Sequence, residues 1–477
     1  NFSGDVQILA GTLLVSSNVR PGNGARPGPL GTGTTPVQLG NTTGTTGATL
    51  SLGVNLNRFE RDIVVPSGIP NTTLITLTMA TGQTATITGN ITLGRELRIS
   101  GPGSSTALTP GALTFAGNIT ESSPGLGSLD IFGGMLNFWG NNSYSGRTFF
   151  EAFSRSIMGI GTDTAFGTGP MVIANQNFTA SFRADFGPRT LANTFGYETG
   201  TTANTIGFIG TNDLTFTSPT VDLAGGTRTW DVTSTGITTF TGNLINGNTT
   251  TALIKNGGGT LVLAGANNTY PGATTLNQGT LLVNGTLNTG GAVTVNTGAI
   301  LGGTGTINRA INVNAGGMIK PGASPGVLTI GSSLTMSAGS TANFAIQGVT
   351  PGNGAGFHSQ IFSTSGSTIA LGAGVANLVL DFTGASYTPA ITDRIVLIDY
   401  STSPGTLTGF FAGLPDDSIA VSNVLGSGLD YYIYYGTLAG YANKVVLSPV
   451  PEPVHILLAC GVGAAGYRWV RRRQKRK

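Results

Sequence analysis

The chain has 477 residues, of which 76 are Gly and 22 Pro; 39% are hydrophobic and only 9% charged. That length is ample for a large core and a few domains. Charge-driven disorder is excluded because charge is scarce, and collagen because the glycines keep no period of three. The formal net charge of +3 comes from the tail: Arg468, Arg471, Arg472, Arg473, Lys475, Arg476 and Lys477 crowd the last positions, while residues 1–449 carry more acids than bases. The body is therefore no nucleic-acid binder by charge. The one cysteine, Cys460, excludes an intramolecular disulfide and a cysteine-based zinc cluster.

In chain order, the first predicted strand is Gly11-Thr12-Leu13-Leu14-Val15, a string that returns at Gly279-Thr280-Leu281-Leu282-Val283. Starting at Asn1, so close to a repeat fragment, the chain reads as a mature or truncated product whose secretory signal lies upstream. Gly134-Met135-Leu136-Asn137-Phe138-Trp139-Gly140 leads into Asn141-Asn142-Ser143-Tyr144. The clearest unit begins at Lys255: Thr260-Leu261-Val262-Leu263, then Asn267-Asn268-Thr269-Tyr270, then the string at Gly279. Later strands alternate apolar and polar residues at Val293 and Val295, Ile311 and Val313, and Leu328 and Ile330, which gives each one inward face. Gly, Asn and Thr clusters between them permit tight corners.

Strands recur too far apart for two-residue hairpins throughout and too close for helical crossovers. A right-handed parallel β-helix (solenoid) over residues 1–340 meets these conditions, because stacked coils share an apolar core that one coil cannot bury alone. A β-sandwich also uses short alternating strands and stands as the alternative. From residue 341 the strands lengthen and gain aromatics: Ile395-Val396-Leu397-Ile398, Tyr431-Tyr432-Ile433-Tyr434-Tyr435 and Lys444-Val445-Val446-Leu447. They read as a small β cap domain over 341–448 that closes the last coil.

The repeat from Lys255 to Gly285 resembles the autotransporter-associated β-strand repeat family, and Pro321-Gly322-Ala323-Ser324-Pro325-Gly326 is similar to the segment that follows the last repeat in such proteins. The resemblance implies a secreted or surface β-helical stalk with no established chemistry. A true autotransporter ends in a membrane β-barrel, which this sequence does not show.

The tail reads as an address. A Pro-rich linker at 449–453 contains Val450, Pro451, Glu452 and Pro453; an apolar run at 454–470 is predicted to be a single transmembrane helix; a basic cytoplasmic tail at 471–477 opens with Arg471, Arg472 and Arg473. Seventeen residues reach about 25 Å as a helix, the lower limit for a bilayer, and the positive-inside rule keeps the arginines in the cytoplasm. This order of parts resembles the PEP-CTERM sorting signal. The resemblance implies recognition by an exosortase-type membrane transpeptidase and removal of the tail; the same segment could instead remain as a permanent inner-membrane anchor.

Chemistry is sparse. No acidic residue lies between Asp231 and Asp381, so the best repeat cannot hold the carboxylate pair of a glycosidase or a calcium site built on carboxylates. Glu60-Arg61-Asp62 and Asp416-Asp417 are the close acidic groupings, read as solvated turns. His358, the only histidine of the body, is the one residue that a Ser-His-Asp triad could use, and it reads as structural. Nucleotide, zincin and CxxC motifs are missing, and no catalytic residue, metal ligand or cofactor is expected. Tyr144 and Tyr270 are candidate glycan contacts, set against the reading that each packs at a corner of its coil; Trp139 and Phe138 are similarly open. The expectation is a non-enzymatic, exported surface or matrix protein, stalk- or adhesin-like, that contacts exopolysaccharide or surface glycan. The alternative is a carbohydrate-active β-helix enzyme, a lyase or hydrolase.

Overall fold

The computed structural model describes all residues except 1–3, 19–29, 31–32, 44–45, 54–55, 69–73, 103–110, 152–155, 178, 201, 247–250, 289, 324, 365, 403–404 and 450–477. The described residues fall into two compact units, Asn1–Gly272 and Ala273–Lys477.

The first unit is built of short strands that pair in parallel with their counterparts one coil later. A ten-stranded sheet runs from Gly11–Val15 to Asn243–Ile245, and a five-stranded sheet from Gln7–Ile8 to Ile119–Glu121. A further face sets Gly134–Phe138 beside Ser156–Ile160, then Thr179–Ala184, Asn204–Ile209, Thr227–Val232 and Ala252–Asn256. Pairing between coils gives the backbone N–H and C=O groups partners that lie far off in sequence. It demands only that each strand turn an apolar face inward. Ala48–Leu52 and Ile75–Met79 show this plainly, their buried and half-buried residues alternating.

The interior of this unit carries a column of aromatic rings. Phe115 stacks on Phe138 at 5.1 Å, Phe216 on Phe240 at 4.6 Å with planes 4° apart, and Trp230 on Phe240 at 4.5 Å. Phe115 and Phe138, and Phe216 and Phe240, are register partners on successive coils, held at about the 4.8 Å strand spacing that suits stacked rings, while Trp230 reaches Phe240 from another face. Phe138 belongs to this column and is fully buried.

Corners are fastened by side chains. Asn90 Oδ1 accepts from the backbone of Asn118 at 3.0 Å, and Asn118 Oδ1 from the backbone of Asn141 at 2.9 Å. Beside them, a Cβ on Gly117 would lie 2.2 Å from Gly89 O, and one on Gly140 would lie 2.1 Å from Gly117 O. Glycine is required there by the close approach of backbones.

The second unit begins with the same parallel pattern. Thr274–Leu276 pairs with Val293–Val295, which pairs with Ile311–Val313 and then Leu334–Met336. An asparagine ladder marks one corner, Asn296 Nδ2 donating to Asn277 Oδ1 and Asn314 Nδ2 to Asn296 Oδ1, each at 2.8 Å. Parallel pairing continues past residue 341: Thr341–Ala345 lies beside Thr368–Asp381, which lies beside Thr406–Phe411. In the eight-stranded sheet of this unit the direction reverses only after Ile395–Asp399, where Lys444–Ser448, Tyr431–Tyr435 and Ser418–Val421 add in antiparallel order.

One part of the expected fold class is corrected. The all-β, parallel arrangement fits a β-helix, but the expectation also placed a transmembrane helix at the C-terminus. Among the described residues no helix is long and apolar enough to cross a membrane; their helical segment is the 3-10 turn Val424–Gly426. Within the described residues apolar positions alternate and are broken by Gly and Asn corners, so backbone groups there find partners between coils and not within one helical segment. Residues 454–470, the linker with Val450, Pro451, Glu452 and Pro453, and the tail with Arg471, Arg472 and Arg473 lie outside the described residues.

Candidate functional site

The expected glycan contacts are the first residues to place. Tyr144 and Tyr270 are fully buried, so neither ring offers a face to a sugar, and that expectation is corrected. The reason lies in the Asn-Asn-x-Tyr corner, whose exposure alternates strand-fashion in both copies: the first Asn and the Ser or Thr face out, the second Asn and the Tyr face in. In the first copy, Asn142 Oδ1 accepts from the backbone of Ile119 at 2.7 Å and Asn142 Nδ2 donates to Ala165 O at 2.6 Å. In the second, Asn268 Oδ1 accepts from the backbone of Leu244 at 2.8 Å and Nδ2 donates to Gly265 O at 2.8 Å. Tyr144 closes its corner through a 2.6 Å bond between its hydroxyl and Thr148 Oγ1, and burial pushes that hydroxyl well above the usual phenol range.

The residues with catalytic potential are likewise engaged. His358 is fully buried with Nε2 at 3.1 Å from Val396 O; burial lowers its pKa to about 4, so the ring is neutral at physiological pH. Glu60 pairs with Arg58 at 2.9 Å, and Asp62 Oδ1 accepts from the backbone of Asn90 at 2.7 Å. Arg61 between them is buried and donates to Thr35 and to Leu30 O. Asp416 accepts from the backbone of Tyr435 at 2.9 Å, and Asp417 from the hydroxyl of Tyr434 at 2.9 Å. Among the described residues there is no group of three or more His, Cys, Asp and Glu side chains placed to hold a metal ion.

Two charged clusters on the first unit were not singled out from the sequence, which offered Trp139 alone of their members. In one, Arg98 forks between Asp130 at 2.6 Å and Glu151 at 2.9 Å, while its guanidinium lies 4.8 Å from the ring centre of Phe132. Burial outweighs the arginine and holds Asp130 up at about 6. With its side chain only 3% exposed, Asp130 cannot reach a polymer, so this carboxylate pair belongs to the fold. The other cluster joins Trp139, Arg183, Asp185 and Phe186. Arg183 Nε donates to Asp185 Oδ1 at 2.7 Å, Trp139 Nε1 to Asp185 Oδ2 at 2.9 Å, and Phe186, 71% exposed, packs its ring against Trp139. Of the described candidates, this one combines an exposed aromatic ring with partly exposed polar groups. Its members are drawn from different coils, 46 residues apart in the case of Trp139 and Asp185, so no local motif marks it.

Comparison with known proteins adds a name to the repeat. Residues 253–283 match the Passenger-associated-transport-repeat family, the segment that holds the strands Thr260–Leu263, Thr274–Leu276 and Gly279–Val283. A stretch of 69 residues is 46% identical to the adhesin BmaC autotransporter of Brucella suis biovar 1 (strain 1330), covering 14% of this chain and 2% of that protein. The chain thus carries an autotransporter-associated repeat and is similar, over that short stretch, to an autotransporter adhesin.

Proposed function

We propose that this protein is a non-enzymatic, adhesin-like structural protein of the cell surface or extracellular matrix. The observation that carries the reading is the passenger-type repeat at 253–283 within a chain of parallel strands. Residues that recur in the repeat, such as Asn268 and Tyr270, are spent on holding coils together. The body histidine is bonded inside the fold, and the close acidic groupings are engaged with Arg58 and with backbone and tyrosine donors of their own corners, which supports a scaffold over a lyase or hydrolase. The sorting element of the reading rests on sequence alone: Val450, Pro451, Glu452 and Pro453, with Arg471, Arg472 and Arg473 beyond them, are proposed as the recognition segment for an exosortase-type transpeptidase. Exopolysaccharide or surface glycan is the proposed partner.

The test is localisation and adhesion in the native cell. Protease shaving and immunolabelling should find residues 1–449 at the surface, and deleting residues 450–477 should change where the protein accumulates. Unchanged display after that deletion refutes the sorting element. Retention of the full-length protein in the cytoplasm refutes the surface reading. New reducing ends or unsaturated products on incubation with acidic or neutral polysaccharides would return the enzyme to first place.

A further inference from the structure

On the outer face of the first unit, the register sets Asn137 opposite Gly159, and Gly159 opposite Arg183. Glycine in the middle coil leaves room for the outer two to meet. Asn137 Oδ1 accepts from Arg183 Nη2 at 3.2 Å over the intervening strand, and a Cβ on Gly159 would lie 2.4 Å from both Asn137 Oδ1 and Asp185 Oδ2. Gly161 serves Trp139 in the same way, since a Cβ there would meet Trp139 Cδ1 at 2.5 Å and block the indole on its way to Asp185. These side chains form a bonded polar floor that spans three coils.

Phe186 stands beside that floor. Its ring meets Trp139 at 4.8 Å between centres, edge to face at 67°. Its backbone is left-handed, with φ 62°, a conformation strained for a bulky side chain and ordinarily given to Gly or Asn. A turn that needed only this geometry would be better served by either. Here a large apolar ring is kept 71% exposed at a strained position, and the core gains nothing from it. Sites that hold strain of this kind cluster where a protein binds something.

We propose that Phe186, Trp139, Arg183 and Asp185 form a saccharide-binding shelf that takes a pyranose unit of a polysaccharide. A sugar ring has an apolar C–H face to lay on Phe186 and the Trp139 edge, and peripheral oxygens to accept from the Arg183 guanidinium, whose side chain remains 30% exposed. The Asp185 carboxylate, bonded to both Arg183 and Trp139, fixes the two donors in one orientation, so little order is lost on binding. A protein partner would call for about 800 Å² of covered surface on this side, whereas one exposed ring beside partly exposed polar groups is the size of a single sugar unit. This inference deepens the surface-adhesin reading and rests on it for where the polymer is met.

The experiment is binding of the full chain to immobilised alginate, an acidic polyuronate, and to oligomers of a neutral β-1,4-glucan. The comparison is with Phe186→Gly, which removes the ring and suits the left-handed turn, and with Arg183→Gln. Phe186→Gly should bind at least tenfold more weakly with an unchanged melting temperature or a higher one. Arg183→Gln should lose more for alginate than for the glucan if a sugar carboxylate sits on the guanidinium, and equally for both if a hydroxyl does. Equal binding by wild type and Phe186→Gly overturns the shelf, as does wild type binding neither polymer, or a protein ligand lost in Phe186→Gly while saccharide binding stays. Cell adhesion that survives Phe186→Gly sinks the shelf and leaves the adhesin reading standing. Saccharide binding by a protein found only in the cytoplasm does the reverse.

Discussion

Asn142→Ala tests how the coils are fastened. Asn142 is 3% exposed and serves two buried backbone groups, the N–H of Ile119 at 2.7 Å and the C=O of Ala165 at 2.6 Å. Alanine strands both groups where water does not reach. Each orphaned group costs about 1–3 kcal/mol, so the substitution, which orphans both, should destabilise by about 2–6 kcal/mol. Asn118→Ala is the matched control: its Oδ1 accepts from the backbone of Asn141 at 2.9 Å on the exposed side of the same corner, where water replaces the lost acceptor, and the expected cost is about 0.5–1 kcal/mol. Urea unfolding followed by the fluorescence of Trp139 and Trp230 measures both, and amide exchange at Ile119 should lose its protection in Asn142→Ala alone. Equal costs for the two variants would refute the claim that the inward Asn is the fastener. The second copy repeats the test at Asn268, which serves Leu244 and Gly265.

Phe240→Ala removes a ring stacked on both Phe216 and Trp230, and a loss of about 3–5 kcal/mol is expected in the same urea assay. Tyr144→Phe breaks the hydroxyl bond to Thr148 and should lower stability by about 1 kcal/mol with no change in polysaccharide binding. Asp130 sets a pH dependence: its carboxyl is held at about 6 in the fold against about 4 in the unfolded chain. Below pH 4 it is protonated in both states; through pH 4 to 6 only the unfolded chain releases the proton, so stability falls as pH rises across that window and levels off above it. Wild type should lose about 2–4 kcal/mol relative to Asp130→Asn between pH 4 and 7, read by urea midpoints at each pH; a constant difference between the two proteins refutes the assignment.

The strands were legible because their signal is local. Leu261 and Leu263, Val293 and Val295, and Ile311 and Val313 alternate in the sequence and are buried in the fold, and the repeat that contains the first pair is the segment that matches a known family. The Tyr positions were ambiguous for a physical reason. Period two says that Asn142 and Tyr144 share a face but not which face, and a polar Asn argues for the outside. Ile119, whose N–H binds Asn142 and which is itself buried, holds the missing phase. The Trp139 cluster was out of reach of any local pattern, since Gly159 and Gly161 acquire meaning only when the coils before and after them are known.

The corner of Asn90, Asn118 and Asn141, with Gly117 and Gly140 packed beside it, has a consequence for how such a chain can change. Asn118 is anchored by Asn90, 28 residues back, and Asn141 by Asn118, 23 residues back, so the joint tolerates a difference in loop content between coils, and even a weakened asparagine, but not a Cβ on Gly117 or Gly140. Whole turns can therefore be gained or dropped without redesigning their neighbours. What selection must guard at this corner is the glycine of each turn, and the number of turns is left free to drift.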